Sequence, residues 1–390
     1  MISVDLLHAR VSARTSWHLV RLRDADGACG YGEYSDAGPQ AAALWREIAA
    51  RLAAGAGVGE VVAALDTEEW SAAAPGEADP AVGRVGPRVR IAGAAVGPFT
   101  VGRFARLTVR GALDQAAADL AARRAGLPLW RWLGGAAARP VRRYANLNRA
   151  LRSRTPEEHA AVAAAAVAVG YTAVKCAPFD GLPPAERLLG GLARLRAVRR
   201  AAPEAELMLD VHHLLTLSQV FAVSEELRAL DLRWLEDAAA LDDPAGLAVL
   251  AAAEIAPLAG GEFATDPGEL AEALADGRLA WVLPDVKHAG GLAAARRLAT
   301  AAQAAGAGVS LHNPSGPIAT AMSTHLAIAC GPAVETEFAF GEADWRHATI
   351  RPSEVPDGPW LLPAEGPGLG VEPDSEQWHT IPVCPTTTGA

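Results

Sequence analysis

The first 35 residues alternate between apolar and polar positions, as half-buried β-strands do. Apolar residues then recur at helical spacing from Pro39 to about Leu65 and again from Val101 to Ala125. Between these helices, residues 70–98 are rich in Ala, Gly and Pro and show no clear period. Strands followed by helices predict an α+β domain. The predicted strands are Ile2–Val11, Trp17–Arg23 and a third that ends at Gly32-Glu33.

Beyond Ala138 the chain repeats a strand, a loop and a helix about every 25 residues. The segments between the strands, such as Pro156–Val169 and Leu292–Ala305, are rich in Ala, Leu, Arg and Glu, which favour helices. This alternation is typical of a closed parallel barrel. The predicted strands are Arg142–Asn148, Thr172–Cys176, Leu207–Val211, Arg233–Leu235, Pro257–Gly260, Trp281–Val286, Gly308–Leu311 and Ala333–Phe338.

These patterns predict an α/β protein built around a (β/α)7β TIM-like barrel. We assign residues 1–135 to an α+β capping domain and residues 136–345 to the barrel. Residues 346–390, rich in Pro and Gly, are expected to return over the capping domain.

Composition narrows the partner to a small molecule. The 390-residue chain has a formal net charge of −10 and a pI near 5.5, which disfavours binding to nucleic acid or anionic lipid. No unbroken apolar run reaches the length of about 18 residues that spans a membrane, and the N-terminus does not read as a signal peptide, so we expect a cytoplasmic protein. The cysteines lack CxxC or zinc spacing and are expected to be buried and free. They are Cys29, Cys176, Cys330 and Cys384.

Three carboxylates end three consecutive barrel strands. Asp210, Glu236 and Glu262 are separated by 236 − 210 = 26 and 262 − 236 = 26 residues, one strand-helix unit each. Because the C-terminal strand ends form the active-site rim of such barrels, the three side chains should meet there. Like charges in a half-buried pocket need a compensating cation, and oxygen donors suit Mg²⁺ before Mn²⁺. The alternative is that they are strand-end caps or ion pairs at the barrel mouth.

The next two strands add an acid and an imidazole. Asp285 and His312 follow neighbouring strands at equivalent positions. A carboxylate beside an imidazole orients it and raises its basicity, which prepares His312 as a general base or acid. The alternative is a buried histidine paired for structural reasons.

These motifs resemble those of the enolase superfamily, mandelate racemase subgroup, over nearly the whole chain. Gly30-Tyr-Gly-Glu33 and the helix ending Trp132-Leu-Gly-Gly resemble the family's capping domain. The resemblance implies that Asp210, Glu236 and Glu262 bind the metal, and that Asp285 and His312 form the catalytic dyad. It also implies a reaction in which the metal stabilises the enediolate formed when a proton leaves the carbon next to a substrate carboxylate.

The chain departs from the family's racemases at the second barrel strand. There they carry Lys-x-Lys, whose second lysine faces the dyad histidine, whereas this chain has Lys175-Cys-Ala. A register in which Lys175 itself is catalytic stays open. His212 stands two residues after Asp210, so strand alternation points it into the barrel, while His213 should face outward. Asp210-Val-His-His resembles the family's acid-sugar dehydratases, which implies that His212 acts on a leaving hydroxyl.

Several further polar residues are expected in the pocket. The resemblance implies an acid at Glu337 that, if protonated, hydrogen-bonds the substrate carboxylate or enediolate, although Glu335 has the same facing. Lys287 shares the facing of Asp285 and either reaches the pocket or pairs with a loop acid. Asn146 and Asn148, with neighbouring Arg149, suit substrate hydroxyls or a second carboxylate.

The sequence therefore predicts a lyase, an acid-sugar dehydratase that uses His312 as base and His212 as acid on a small carboxylate substrate. One alternative is a racemase, epimerase or cycloisomerase that uses Lys175 or Lys287 as its other base. Another is a non-catalytic homologue that binds metal only. The resemblance to the subgroup also implies a homo-oligomer, a dimer or an octamer.

Overall fold

The computed structural model describes residues 2–12, 15–35, 38–65, 84–85, 88–91, 94–96, 101–355, 358–381 and 383. The three predicted N-terminal strands are present and form one antiparallel sheet, completed at its edge by a strand from the far C-terminus. Its strands, in spatial order, are β18 (His379–Ile381), β1 (Ser3–Arg10), β2 (Ser16–Arg23) and β3 (Cys29–Tyr34).

Three helices pack against this sheet at the positions where helical spacing predicts them. They are α1 (Pro39–Ala53), α2 (Val58–Ala64) and α3 (Val101–Arg124). Gly30 and Gly32 let β3 lie against α3, because a Cβ at either residue would come within 2.1 Å of a backbone oxygen of that helix. The glycines of the Gly-Tyr-Gly-Glu motif therefore serve close packing of sheet on helix.

Most of the stretch predicted to lack a period, residues 70–98, lies outside the described residues. What is described there is a small antiparallel sheet. Its strands are β4 (Arg84–Val85), β5 (Arg88–Ile91) and β6 (Ala94–Val96). A short helix, α4 (Leu129–Trp132), follows α3 and leads into the barrel.

The predicted barrel is confirmed as a closed ring of eight parallel strands, in which the last strand pairs with the first. The strands are β7 (Val141–Asn146), β8 (Ala173–Cys176), β9 (Glu206–Asp210), β10 (Leu232–Glu236), β11 (Leu258–Gly260), β12 (Trp281–Val282), β13 (Gly308–Leu311) and β14 (Glu335–Ala339).

Helices cover the outside of the barrel between successive strands. The connection after β9 holds two helices, and that after β11 holds a short helix flanked by 3₁₀ turns at Pro267–Leu270 and Ala275–Gly277. The helices are α5 (Pro156–Ala168), α6 (Pro184–Ala201), α7 (Leu217–Ala222), α8 (Ser224–Ala229), α9 (Pro244–Ala252), α10 (Ala271–Leu274), α11 (Leu292–Ala304) and α12 (Pro317–Cys330).

The segment after the barrel passes through a 3₁₀ turn at Arg346–Ala348 and returns to the rest of the molecule. Its strands are β15 (Ile350–Arg351), β16 (Trp360–Leu361) and β17 (Glu372–Pro373), followed by β18. β16 pairs with β7 of the barrel and β18 with β1 of the N-terminal sheet, so this segment ties the two together.

One carboxylate joins the N-terminal sheet to the barrel directly. Glu33, at the end of the Gly-Tyr-Gly-Glu motif, accepts hydrogen bonds from the backbone N–H groups of Gly316 (2.6 Å) and Ala319 (2.9 Å). Both groups lie at the N-terminus of α12, where unpaired donors and the helix dipole favour a negative charge. The motif thus fixes the orientation of the sheet over the barrel mouth.

Cys29, Cys176 and Cys330 are free, as predicted, but only Cys176 is buried, and Cys29 and Cys330 are partly exposed. Cys384 lies outside the described residues. None of the described helices is long and apolar enough to cross a bilayer.

His325 connects three parts of the fold. From α12, its Nδ1 accepts a hydrogen bond from Trp130 N (3.0 Å), and its Nε2 donates to Leu369 O in the C-terminal segment (3.2 Å). Burial lowers the pKa of His325 to about 4. In the unfolded chain this histidine has an ordinary pKa near 6.5, so between pH 6.5 and 4 the unfolded chain binds a proton that the folded chain does not bind.

We expect the free energy of unfolding to fall as the pH drops through this window, with His325 contributing about 3 kcal/mol of the loss. His325→Gln keeps a donor and an acceptor but cannot titrate, so its unfolding should depend on pH by one proton less. Urea unfolding of both proteins from pH 7 to 4 measures the difference. Identical pH dependence in the two would contradict the role given to His325.

Candidate active site

The predicted site residues gather around a cavity of about 460 Å³ at the C-terminal ends of the barrel strands, roofed by residues of β2 and β3. Glu236 and Glu337 lie beneath it, in contact with Lys175, and Asp285 lies behind His312. The predicted residues that line the cavity are Asn146, Asn148, Lys175, Asp210, His212, Glu262, Lys287 and His312.

The same local hydrogen bond shapes three of the strand ends. In each, an Asp or Asn side chain accepts the backbone N–H two residues later, which turns the chain sharply at the rim. The pairs are Asn146 with Asn148 (2.8 Å), Asp210 with His212 (2.8 Å) and Asp285 with Lys287 (2.6 Å).

His212 reaches the cavity through this turn and not through strand alternation. β9 ends at Asp210, and His212 has left-handed backbone geometry, with φ of 45°. Its Nε2 lies 2.7 Å from Asp210 Oδ2 and its Nδ1 lies 2.8 Å from Asp180 Oδ1. The predicted location is observed, but the reason given for it was wrong. His213 pairs with Asp237 at 3.3 Å and does not line the cavity.

Each of the three predicted metal ligands contacts a base. Asp210 pairs with His212, and Glu262 Oε2 lies 2.8 Å from His312 Nε2. Glu236 accepts hydrogen bonds from Lys175 Nζ through both oxygens (2.9 and 3.1 Å). The negative charge of these carboxylates is therefore balanced by side chains of the barrel itself.

Lys175 is the most buried of these bases. Its side chain is 1% exposed, and its Nζ also lies 3.2 Å from Glu337 Oε1. Burial alone would lower the pKa of Lys175, but Glu236 and Glu337 outweigh it and raise that pKa well above its ordinary value. Lys175 is therefore held as a cation between two carboxylates, an arrangement unlike that of a free proton acceptor.

The three strand-end carboxylates offer the type of donor atom that a hard divalent cation prefers. Asp210, Glu236 and Glu262 offer only oxygen, the ligand type that Mg²⁺ and Mn²⁺ prefer. Parallel pairing sets Glu236 directly beside Asp210, and Glu262 follows Ala259, the residue paired with Glu236 on the next strand. In this structure the three carboxylates are paired with His212, Lys175 and His312, and a bound cation has to displace these groups.

The acid-imidazole pair is also formed. His312 Nδ1 lies 2.8 Å from Asp285 Oδ2, and both side chains are buried. Burial alone would raise the pKa of Asp285, but its neighbours His288, Lys287 and His312 outweigh burial and hold that pKa well below its usual range. Asp285 is therefore ionised and fixes which ring nitrogen of His312 faces the cavity.

Glu335 begins the last barrel strand, whereas Glu337 lies two residues further along it, nearer the cavity. Glu335 pairs with Arg233 (3.0 Å) and Arg142 (3.5 Å) at the N-terminal end, away from the cavity. Glu337 pairs with Lys175 and accepts a hydrogen bond from Asn313 N (3.0 Å). Burial would raise the pKa of Glu337, but Lys175 and His312 lower it. Glu337 is therefore a carboxylate and not the protonated hydrogen-bond donor that the family resemblance implies.

The remaining predicted residues have clear partners. Asn146 donates to Glu337, and Asn148 accepts from Ala177 N at 2.8 Å, so both position neighbouring strand ends. Lys287 Nζ donates to the hydroxyl of Ser315 and not to a loop acid. Arg149 lines the cavity, 3.9 Å from Glu342 and 3.2 Å from Thr15 Oγ1.

Asp180, His288 and Ser35 are among the residues of the site that sequence reasoning missed. Asp180 holds His212 and follows the second barrel strand, so the rule that selects polar residues at strand ends would have found it. His288 lies 3.4 Å from Asp285 and stacks on Phe263, with ring centroids 4.9 Å apart. Ser35 reaches from the end of β3 to His288 Nε2 at 3.1 Å. No sequence signal links Ser35 to the barrel.

The comparison with family models matches this architecture. Residues 158–378 match the model described as enolase C-terminal domain-like. The chain belongs to the enolase superfamily. Members of this family bind a divalent metal, which agrees with the donor set at the rim.

Curated relatives of this enolase superfamily chain carry dehydratase names. A D-mannonate dehydratase from Caulobacter sp. (strain K31) is 27% identical over 315 residues, covering 71% of this chain and 75% of that one. A D-galactonate dehydratase from Verminephrobacter eiseniae is 27% identical over 278 residues, covering 67% and 70%.

Solved structures agree with the fold of this superfamily. A mandelate racemase/muconate lactonizing enzyme from Jannaschia sp. CCS1 superposes with a TM-score of 0.75 at 23% identity, covering 96% of this chain and 95% of that one. An enolase superfamily member from Salmonella Typhimurium gives a TM-score of 0.77 at 19% identity, covering 98% and 100%.

Removing Lys175 tests the charge balance of the site. Lys175→Met leaves Glu236 and Glu337 buried without their cation and should reduce the free energy of unfolding by about 3–5 kcal/mol. Adding Glu337→Gln should restore part of this loss, because one uncompensated charge is then removed. Lys287→Met, which breaks a bond to a neutral hydroxyl, should cost less. Equal losses in urea unfolding for both lysine variants would contradict the proposed balance.

Proposed function

We propose that this protein is a Mg²⁺-dependent acid-sugar dehydratase, which removes the α-proton of a sugar acid and eliminates water from the neighbouring carbon. The observation that carries the proposal is that two imidazoles, His212 and His312, reach one cavity beside three strand-end carboxylates. Elimination of water needs one group that accepts a proton and one that donates a proton. The names of the relatives support the same reaction class.

Asp210, Glu236 and Glu262 would hold the Mg²⁺ ion. When bound, the ion supplies electrostatic stabilisation for the negative charge that develops on the substrate carboxylate. The cavity volume of about 460 Å³ leaves room for a small polyhydroxy acid.

His312 is assigned to the α-proton. Its Nδ1 is occupied by Asp285 at 2.8 Å, so its Nε2 is the nitrogen on the cavity side. That nitrogen pairs with Glu262 at 2.8 Å in this structure and would be released when a cation takes Glu262 as a ligand. Asp285 stabilises the imidazolium that forms when His312 takes the proton. Backbone donors from Lys287 and His288 hold the other oxygen of Asp285, which keeps the dyad oriented.

His212 is assigned to the leaving hydroxyl. Asp180 and Asp210 flank its ring at 2.8 and 2.7 Å, so the positive form of the imidazole has a carboxylate on each side. A histidine held in this way is suited to give a proton to a departing hydroxyl group.

A racemase would need a second base on the other side of the substrate. Lys175 is engaged by Glu236 and Glu337, and Lys287 by Ser315, which favours dehydration over racemisation. Incorporation of solvent deuterium at the α-carbon without loss of water would support the racemase or epimerase instead.

A library of aldonic and related sugar acids with Mg²⁺, assayed for semicarbazide-reactive 2-keto-3-deoxy product, tests the reaction class. For an acid that is turned over, His312→Asn should reduce both dehydration and α-proton exchange by a factor of about 10²–10⁴. His212→Asn should reduce dehydration by a similar factor but retain exchange. No keto product from any acid, or parallel loss of both activities in the two variants, would contradict the assigned roles.

His213→Asn is the matched control for His212→Asn. Both histidines have left-handed backbone geometry, with φ of 51° and 45°, which Asn tolerates well. Since His213 pairs with Asp237 outside the cavity, its variant should keep both activities.

The proposed metal ligands are tested by measuring Mg²⁺ affinity and not catalytic activity. Glu262→Gln should weaken Mg²⁺ binding at least tenfold in titration calorimetry, because it removes one of three anionic donors. Glu335→Gln changes a carboxylate at the opposite end of the barrel and should leave Mg²⁺ affinity unchanged. Wild-type affinity in Glu262→Gln would show that this carboxylate is not a ligand.

A further inference from the structure

A second imidazole lies beside the dyad. Asp285 Oδ2 is 2.8 Å from His312 Nδ1 and 3.4 Å from His288 Nδ1. In the part of the chain that the structure describes, these side chains form a buried group whose potential ligand atoms all lie within 4.8 Å of one another. The His288 side chain is 9% exposed, and its buried Nδ1 has no hydrogen-bond partner among the described residues.

The three groups are held in place by outer partners. Ser35 Oγ lies 3.1 Å from His288 Nε2, and Glu262 Oε2 lies 2.8 Å from His312 Nε2. The other oxygen of Asp285 accepts two backbone N–H groups. Histidines that bind metals usually have their second nitrogen engaged in this way, which orients the ring and sets the ligating nitrogen.

The spacing of the donors fits a small transition-metal ion. A tetrahedral ion with bonds of about 2.0–2.1 Å separates neighbouring ligand atoms by about 3.3 Å. The separation of 3.4 Å between Asp285 Oδ2 and His288 Nδ1 matches that value, whereas the 2.8 Å between Asp285 Oδ2 and His312 Nδ1 has to lengthen when an ion replaces the shared proton. Two imidazoles and one carboxylate favour ions such as Zn²⁺ or Co²⁺ over Mg²⁺, which prefers oxygen donors. Phe104 and Phe263 flank the His288 ring and give the group an apolar wall.

We propose that Asp285, His288 and His312 form a second metal site, selective for a divalent transition ion of the Zn²⁺ class, whose occupancy inhibits the enzyme. An ion bound to Nδ1 of His312 replaces the proton shared with Asp285, which is released to solvent, so the dyad can no longer take part in proton transfer. The inhibitory half of this inference rests on the proposed function. The binding half does not.

Binding is tested on the purified full chain with excess Mg²⁺ present, using Co²⁺ absorption and Zn²⁺ competition. The wild type should bind one Co²⁺ with the strong visible absorption of a low-coordinate site. His288→Phe keeps a ring between Phe104 and Phe263 but lacks the nitrogen, so its affinity should fall at least 100-fold. Wild-type affinity in this variant would overturn the proposal.

Three further variants keep the test informative if His288→Phe folds poorly. Ser35→Ala, at an exposed position, removes only the outer partner and should weaken Co²⁺ binding about tenfold. His347→Asn changes an exposed histidine and should leave binding unchanged. If binding is instead lost in a His8→Asn/His379→Asn variant, the ion belongs to the neighbouring histidines of the N-terminal sheet and the proposal fails.

Inhibition separates this inference from the proposed function. For an acid that is turned over, the Zn²⁺ concentration that half-inhibits the Mg²⁺-loaded enzyme should equal the dissociation constant measured for Zn²⁺. The residual activity of His288→Phe should not be inhibited at that concentration. Zn²⁺ binding without turnover of any acid would defeat the proposed function alone. Turnover that is insensitive to Zn²⁺ would defeat the inhibitory site alone.

Discussion

The closed barrel depends on matching each buried carboxylate at its mouth with a positive group. Carboxylates in a region from which water is largely excluded are tolerated only when they are paired or coordinate a cation. Lys175 does this for Glu236 and Glu337, while histidines pair with Asp210 and Glu262. Because each of these carboxylates is paired with a positive side chain, a metal ion can take the place of that side chain at the rim, as a metal-dependent site requires.

The barrel and the positions of its three acidic residues were predictable because both follow from a repeat along the chain. One strand-helix unit separates each carboxylate from the next, and parallel strands in register bring such residues to one rim. Sequence alone could not choose between Glu335 and Glu337. Both side chains face inward, and the two residues lie about 6.6 Å apart along the strand. Only this difference in position decides which of them reaches the cavity.

Contacts between segments that are distant in sequence could not be predicted. Ser35 meets His288 because Glu33 anchors the end of β3 on the N-terminus of α12, and this docking has no counterpart in hydrophobic periodicity. His212 was placed correctly for the wrong reason, since a side-chain hydrogen bond from Asp210 turns the chain where the strand was assumed to continue. Local turn chemistry at strand ends therefore carries as much information as the strands themselves.

The placement of lysine has a practical consequence. The chain contains 35 Lys and Arg residues, but only Lys175 and Lys287 are lysines, and both line the cavity. Every other basic side chain of this kind is a guanidinium, which does not react as an amine does. Reagents selective for side-chain amines therefore find no lysine outside the cavity, and shielding of Lys287 from such a reagent reports whether any compound occupies the cavity, before the chemistry of that compound is known.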